Sequence, residues 1–213
     1  MKVFAVFLAA VVLLGVALTG CRGNVPQDMN GHIEPTVDST GSTLMTEMTM
    51  PTKPVALEET GSTRLLQTIW DLYPQEERFS VYGGAMEQAV MDAPGPLDLS
   101  MQEELSTRYL LTEDLVRQVE EGASLVHLMN GNILTAVVLR VRGDQQEFAK
   151  TWRSNVRATR WICGQPDRMI LVQPEDGCLL LVFGSQDIVR TFRSRLMEVY
   201  PKTKVLYEEA IVA

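Results

Sequence analysis

Near the start of the chain, a cysteine follows small residues at the end of an apolar stretch. A thiol in this position could be modified covalently. Lys2 precedes an apolar run over residues 3–18, and the run ends in Leu18-Thr19-Gly20-Cys21. A charged residue, an apolar stretch and small residues before a cut are the pattern of a secretory signal. The order therefore predicts a signal peptide over residues 1–20, with a cysteine directly after the cleavage point.

The alternative is that residues 3–18 remain as an uncleaved membrane anchor. As a helix with a rise of about 1.5 Å per residue they would span roughly 24 Å, which is short of the ~30 Å hydrocarbon core.

The tetrad Leu18-Thr19-Gly20-Cys21 resembles the lipobox of bacterial lipoprotein precursors. That resemblance implies that the signal peptidase recognises Leu18, Thr19 and Gly20, and that Cys21 carries a diacylglyceryl thioether at the new N-terminus. Two acyl chains give lasting attachment, so we expect a lipid-anchored protein of the cell membrane that faces outside the cytoplasm.

A second candidate site is a set of arginines in a predicted helix, Arg153, Arg157 and Arg160. They could form a basic strip for phosphate, teichoic acid or lipid headgroups. Helix-surface arginines more often pair with nearby acids or lie along their neighbours. Both interpretations stay open at this point.

Acidic residues occur in adjacent pairs, which raises the hypothesis of a cell-wall-active hydrolase that uses two carboxylates. Neighbouring side chains point apart in both helices and strands, so we expect these pairs to lie on solvated surface instead. The pairs are Glu58-Glu59, Glu76-Glu77, Glu103-Glu104, Glu120-Glu121 and Glu208-Glu209.

The other chemically active side chains are predicted to be structural. His127 is the only histidine after residue 61, and it falls in a predicted strand, which favours packing over catalysis. Cys163 and Cys178 are predicted to be two separate buried thiols, although an extracytoplasmic location would permit a disulfide. Ser185 is expected to cap a helix, and Trp161 to anchor a helix to the sheet and not to serve as a ligand platform. We expect no metal site, because zinc requires four nitrogen or sulfur ligands and the chain has only His32 and His127 to add to the two cysteines. We expect no cofactor, because the sequence has no P-loop or dinucleotide-binding motif.

Composition divides the chain into three parts. Residues 21–61 are rich in Thr, Ser, Pro and Met, which predicts a flexible tether with an end-to-end distance of roughly 35 Å. Threonines recur there every three or four residues, a spacing that would also suit glycosylation or an amphipathic helix. Residues 62–213 are long enough for a single domain with its own core. The net charge of −8 argues against a nucleic-acid partner.

Periodicity predicts an α+β domain built on an antiparallel sheet. Helical spacing over residues 62–73 is followed by a short strand at 79–82, a helix-like stretch at 85–91 and a helix over 112–121. The rest alternates hairpin, helix, hairpin, helix and strand, and Asn130-Gly131 is expected to supply the positive φ of the first tight turn. These predicted elements cover residues 124–130, 133–142, 144–161, 169–173, 178–183, 186–200 and 204–211.

The second half thus suggests two hairpin–helix (ββα) units plus a C-terminal strand. Residues 150–154 (KTWRS) echo residues 190–194 (RTFRS), a hint of duplication. Residues 179–183 are apolar at every position, as in a central strand covered on both sides. We expect the helical segment 62–121 to cover the face opposite the two amphipathic helices.

Several segments together resemble small uncharacterised lipoproteins of anaerobic Gram-positive bacteria. Besides the lipobox and the tether, they are residues 109–114, 137–141, 161–163 and 179–183. The resemblance covers roughly residues 62–200 and implies an envelope location without any functional residue. The hypothesis is a non-enzymatic binding or scaffolding domain that meets an envelope protein or a cell-wall polymer.

Overall fold

A computed structural model of the protein describes residues 60–211. The predicted signal peptide, the lipidation site and almost all of the tether lie outside this range. Within residues 60–211, no helix is both long and apolar enough to cross a membrane.

The described chain contains five α-helices, and the N-cap side chain accepts a hydrogen bond at the start of two of them. Thr60 caps the first, since its side chain accepts from the Thr63 amide at 3.2 Å, and Asp144 caps the fourth, where its Oδ1 accepts from the Gln146 amide at 2.9 Å. Ser185 stands at the N-cap of the last helix, but the side chain that accepts from the Gln186 amide, at 2.8 Å, is that of Asp167. The helices are α1 Gly61–Trp70, α2 Gln102–Arg108, α3 Glu113–Val116, α4 Gln145–Ala158 and α5 Gln186–Val199.

The strands form one open, antiparallel, eight-stranded sheet, which confirms the predicted α+β class. Their order is β2-β1-β4-β5-β7-β6-β8, and β3 pairs with β4 beside β1. The strands are β1 Val81–Gly83, β2 Val90–Met91, β3 Gly95–Pro96, β4 Val119–His127, β5 Leu134–Val141, β6 Arg168–Gln173, β7 Cys178–Gly184 and β8 Lys204–Ala210.

The sheet is buried on both faces at its centre. Alternate residues of β5 enter two different cores, with Val138 on one face and Val137 and Leu139 on the other, and β7 alternates in the same way. Helices α1 and α5 cover the first face, whereas α2, α3 and α4 cover the second. The domain therefore has three layers, with the sheet in the middle.

The expectation that residues 62–121 alone cover the face opposite both amphipathic helices is wrong, because α4 and α5 pack on opposite faces. The crossovers β5–α4–β6 and β7–α5–β8 each pass over one strand and move in the same direction across the sheet. Their starting strands β5 and β7 are antiparallel. Crossovers of the same hand must then place their helices on opposite sides, and crossovers are nearly always right-handed.

The turn between β4 and β5 also differs from the prediction. It spans residues 128–133, and Gly131 is not among the described glycines with positive φ. The side chain of Asn130 closes the turn instead, since its Oδ1 accepts from the Asn132 amide at 2.9 Å. The preceding strand starts at Val119, inside the segment predicted to be helical, because α3 ends at Val116.

Candidate binding cleft

Two adjoining cavities open at the end of the sheet where β4 ends and β5 begins. The first, which we call the tryptophan cleft, has a volume of about 290 Å³, and the second, the methionine cleft, about 340 Å³. They share Tyr82, Arg108 and Gly131. The tryptophan cleft is further lined by Thr107, Tyr109, Val126, Asn132, Thr135, Thr159, Arg160, Trp161, Ile162 and Phe183. The methionine cleft is further lined by Met86, Ala89, Met91, His127, Leu128, Met129 and Asn130.

Side-chain amides hold the outer wall of the tryptophan cleft in place. Asn132 donates to the carbonyls of Ile162 at 2.8 Å and Gly164 at 2.6 Å, and Asn130 donates to that of Cys163 at 3.1 Å. The clamped loop turns sharply, with φ of 63° at Cys163 and 100° at Gly164. The β4–β5 turn therefore fixes the loop that follows α4, and with it the mouth of the cleft.

A buried polar network lies beneath the cleft. The Tyr109 hydroxyl is 3.0 Å from Ser124 Oγ and donates to the Gly84 carbonyl at 3.2 Å, and the Gly84 amide donates to Ser124 Oγ at 2.9 Å. Trp152 Nε1 donates to the Tyr109 carbonyl at 2.8 Å. Burial raises the pKa of Tyr109 well above its usual value of 10.0. The tyrosine is therefore a neutral, fixed part of the floor.

Two guanidinium groups supply positive charge to the clefts. Arg108 donates to the Tyr82 hydroxyl, and its Nε lies 3.9 Å from Oε1 of Glu104. Arg160 is exposed, and among residues 60–211 it has no hydrogen bond or ion pair. No Asp or Glu of the described part of the chain lines either cleft. The clefts are thus locally cationic within an acidic protein.

Exposed apolar side chains surround the same openings. Of the large hydrophobic side chains that are exposed in the described chain, all except Val205 line one of the two clefts. They are Met86 (48% exposed), Met91 (55%), Leu128 (40%), Met129 (82%) and Ile162 (80%). Clustered exposed apolar surface is typical of an interaction site, because single exposed hydrophobics are normally scattered.

The predicted arginine strip is divided by the fold. Arg153 forms a bidentate pair with Glu209, at 2.7 and 2.6 Å, and Arg157 lies 4.0 Å from the same carboxylate. The hydrogen bond from Arg153 holds the pKa of Glu209 below its usual value of 4.5. Arg160 lies apart from this pair, beyond the end of α4, and lines the tryptophan cleft.

The adjacent glutamates of β4 and β8 are ion-paired to arginines and point apart. Glu120 pairs with Arg142 at 2.8 Å, whereas its neighbour Glu121 pairs with Arg140 at 3.3 Å. Glu208 pairs with Arg168 and Arg193, while Glu209 turns to Arg153. These two pairs thus belong to ion-pair networks that do not line the clefts, whereas Glu104 pairs with Arg108, which does line them, and Glu58-Glu59 lies outside the described residues.

His127 lies at the end of β4, stacked on Phe79 with ring centroids 5.3 Å apart. Its Nδ1 accepts from the amides of Met129 at 3.2 Å and Asn130 at 3.4 Å. Burial lowers the pKa of His127 below its usual value of 6.5. These contacts describe a neutral imidazole that caps the strand end.

The two cysteines of the domain are unpaired. The prediction of a buried thiol is confirmed for Cys178, where burial raises the pKa to about 12. It is wrong for Cys163, which is exposed. The reason is that α4 ends at Ala158, earlier than predicted, so that Cys163 lies in the external loop.

Trp161 packs against Phe183 with ring centroids 5.2 Å apart, and its indole is only half-buried because one side lines the cleft. The sequence prediction of a core anchor therefore describes half of its surroundings. Sequence reasoning did not identify Tyr82, Arg108 or Met129 as cleft residues. Tyr82 lies in the short strand β1, Arg108 ends α2 and Met129 lies in the β4–β5 turn, and no motif in the sequence connects the three.

Comparison of the chain with protein-family models, with curated proteins and with solved structures gives no match.

Proposed function

We propose that the protein is a lipid-anchored, extracytoplasmic binding protein without catalytic activity, and that the two clefts are its binding surface. The observation that carries the proposal is that concave surface, exposed apolar side chains and Arg160, which has no partner within residues 60–211, lie together at one end of the sheet. A concave, mostly apolar site with a few polar groups is the usual form of a ligand site.

The arrangement of carboxylates favours binding over hydrolysis. A glycosidase needs two carboxyl groups about 5 to 9 Å apart that face one sugar ring. The glutamates of the C-terminal pair, Glu208 and Glu209, are instead engaged by separate arginines. The linings of the clefts contribute tyrosine, threonine, asparagine and arginine, which can hold a ligand.

The anchor and the envelope location are proposed from the sequence. The lipobox-like tetrad ending in Cys21 supports a thioether anchor, and residues 21–61 would separate the domain from the bilayer. The resemblance to small lipoproteins supports the same location. Partners would then be an envelope protein or a component of the cell wall or membrane.

The finer organisation of the sheet belongs to the same proposal. The chain order supports two ββα units, β4–β5–α4 and β6–β7–α5, followed by β8. In the similar helical segments, Trp152 and Phe192 occupy corresponding buried positions. They pack on opposite faces of the sheet, so a duplication would have required the second helix to change sides.

Substitution of the anchoring residue tests the location. We expect the wild-type protein in the membrane fraction, and the Cys21→Ser variant either unprocessed or released. Cys163→Ser is the matched control, since it removes an exposed thiol from the folded domain. Mass spectrometry of the mature N-terminus then identifies the acyl groups. Identical processing and fractionation of all three proteins would refute the anchor.

Site-directed photo-crosslinking in intact cells tests the clefts. A photoreactive residue in place of Met129 or Ile162 is expected to capture a defined species. The same probe in place of Asp187, whose side chain is 94% exposed on α5, is the control for surface contact. The cleft proposal requires capture to be specific to the cleft positions and to fall when Arg160 is changed to Glu. Equal capture at all three positions would contradict it.

A further inference from the structure

We infer that the tryptophan cleft binds an anionic headgroup carried on a single apolar chain, with the headgroup at Arg160 and Arg108 and the chain between Trp161 and the sheet. This inference names the ligand class of the proposed binding surface and rests on that proposed function. A phosphate and a carboxylate share the required chemistry.

Arg160 is the first of two cations in the lining of the tryptophan cleft. Every other arginine among residues 60–211 has an acid, an aromatic ring or another interaction, whereas Arg160 has none. An arginine offers five donors in a planar fork that matches carboxylate and phosphate oxygens. Its place in the cleft lining leaves that fork available to a ligand.

Arg108 adds a second cation at the boundary between the two clefts. Its guanidinium group donates to the Tyr82 hydroxyl, and its Cζ lies 5.9 Å from the centroid of the Tyr82 ring. These two contacts fix the position of Arg108. Glu104 is 3.9 Å away and offsets part of the charge. The hydroxyls of Thr107 and Thr159 also line the cleft and can donate to an anion.

The apolar part of the ligand follows from the walls. Val126, Phe183, Trp161 and Ile162 contribute apolar surface to the tryptophan cleft, whose volume of about 290 Å³ is near the lower end of ligand pockets, roughly 300 to 1,000 Å³. The methionine cleft continues past the shared Tyr82. Flexible methionines adapt to irregular apolar ligands. A narrow chain fills such a cavity, whereas the surface of a folded protein would leave its interior empty.

The chain carries its own reporter for this site. Trp70 and Trp152 are 1% and 0% exposed, whereas Trp161 is half-buried and lines the cleft. A ligand chain placed against Trp161 is expected to shift its fluorescence emission to shorter wavelength. The Trp161→Phe variant should lose that response.

The experiment titrates the full chain, in nanodiscs of phosphatidylcholine, with octyl phosphate, octanoate and the neutral 1-octanol. We expect the two anions to bind at least about tenfold more tightly than 1-octanol, because a hydrogen bond to a charged group is worth about that factor. Within a series of butyl, hexyl and octyl phosphate, affinity should rise by up to about fourfold per methylene. The titration with octyl phosphate is repeated in nanodiscs of phosphatidylglycerol, a lipid with an anionic headgroup. Weaker binding there would mean that the lipid competes for the cleft, and that the bilayer itself is a source of the ligand.

Charge variants provide the decisive comparison. Arg160→Glu and Arg160→Gln should weaken octyl phosphate binding by about tenfold or more. Arg160 makes no contact that folding needs, and circular dichroism checks the fold of both variants. The matched control is Arg190→Glu on α5, an exposed arginine that should leave binding unchanged. Equal affinity for 1-octanol, or equal loss in the Arg190 control, would overturn the inference.

The two proposals fail in different ways. If the anions do not bind but photo-crosslinking at Met129 and Ile162 still captures a species in an Arg160-dependent manner, the ligand class is wrong and the binding surface stands. If neither is observed, both proposals fall.

Discussion

Removal of one hydroxyl, in Tyr109→Phe, tests whether the polar network beneath the cleft stabilises the domain. The hydroxyl of Tyr109 lies 3.0 Å from Ser124 Oγ and 3.2 Å from the Gly84 carbonyl, in a buried environment. Phenylalanine keeps the ring, which is 1% exposed, and deletes only the two hydrogen bonds. The packing contribution is therefore nearly constant between the two proteins.

Each buried hydrogen bond contributes about 0.5 to 1.5 kcal/mol net, and an unsatisfied buried group costs more. The Gly84 carbonyl loses a donor, while Ser124 Oγ keeps the bond from the Gly84 amide. We therefore expect the free energy of unfolding to fall by about 2 kcal/mol, within roughly 1 to 3. For a domain of this size, that corresponds to a melting temperature lower by about 4 to 8 °C.

Urea unfolding and thermal circular dichroism measure the change. Tyr207→Phe is the matched control, since it removes the same atom from a half-exposed ring on β8 and should change stability by less than about 0.5 kcal/mol. A double-mutant cycle with Ser124→Ala should give a coupling energy above about 0.5 kcal/mol. A loss below about 0.5 kcal/mol for Tyr109→Phe would refute the idea that the network stabilises the floor of the cleft.

Three further predictions use other parts of the domain. Gly83→Ala should destabilise the protein by at least about 2 kcal/mol in urea unfolding, because a Cβ there would overlap the backbone of β3 and the Ser124 carbonyl; wild-type stability would contradict the close strand approach. Burial lowers the pKa of His127 in the folded protein, so neutral His127 contributes its full share to the free energy of unfolding above the unfolded pKa of about 6.5. That contribution should be lost as the pH falls from about 6.5 towards the lower folded pKa. An NMR titration midpoint of His127 at or above about 6.5 would contradict this pH dependence. A maleimide at neutral pH should modify Cys163 in the folded protein but Cys178 only after unfolding, since burial raises the pKa of Cys178 to about 12; equal rates by mass spectrometry would show that Cys178 is accessible.

Strong periodicity made the central elements predictable from the sequence. β5, β7 and α5 begin and end within a residue or two of their predicted bounds, because apolar residues alternate or recur at helical spacing. Asp144 was correctly placed at the start of α4, where it caps the helix. The two-residue strands β2 and β3 have no such signal, since pairing with neighbours defines them.

The distribution of helices over the two faces was predicted wrongly for a different reason. Amphipathicity shows that a helix has an apolar side, but it does not show which face of a sheet receives it. The strand order decides that, through the common hand of the two crossovers. With β5 and β7 known to be neighbours, the opposite placement of α4 and α5 follows.

The clefts were hidden from sequence reasoning because their residues come from distant segments. Arg108, Met129 and Ile162 line the two clefts only because the fold brings the C-terminal ends of α2, β4 and α4 to the same end of the sheet. The sequence did indicate Arg160 as a candidate for anion binding, whereas Trp161 was expected to be a core anchor. What it could not supply was the separation of Arg160 from Arg153, which depends on the ion pair with Glu209 on the last strand.

The outermost strands carry a consequence for self-association. β8 ends the sheet on one side, and a free strand edge offers unpaired backbone groups to a strand of another molecule. Its Glu208 and Glu209 are ion-paired to arginines of α4, α5 and β6, so a second copy would have to dock on an edge lined by charged side chains and desolvate them. At the other end, β2 has only two residues, too few to template another strand. Copies crowded together on one surface would therefore resist growth into a continuous intermolecular sheet.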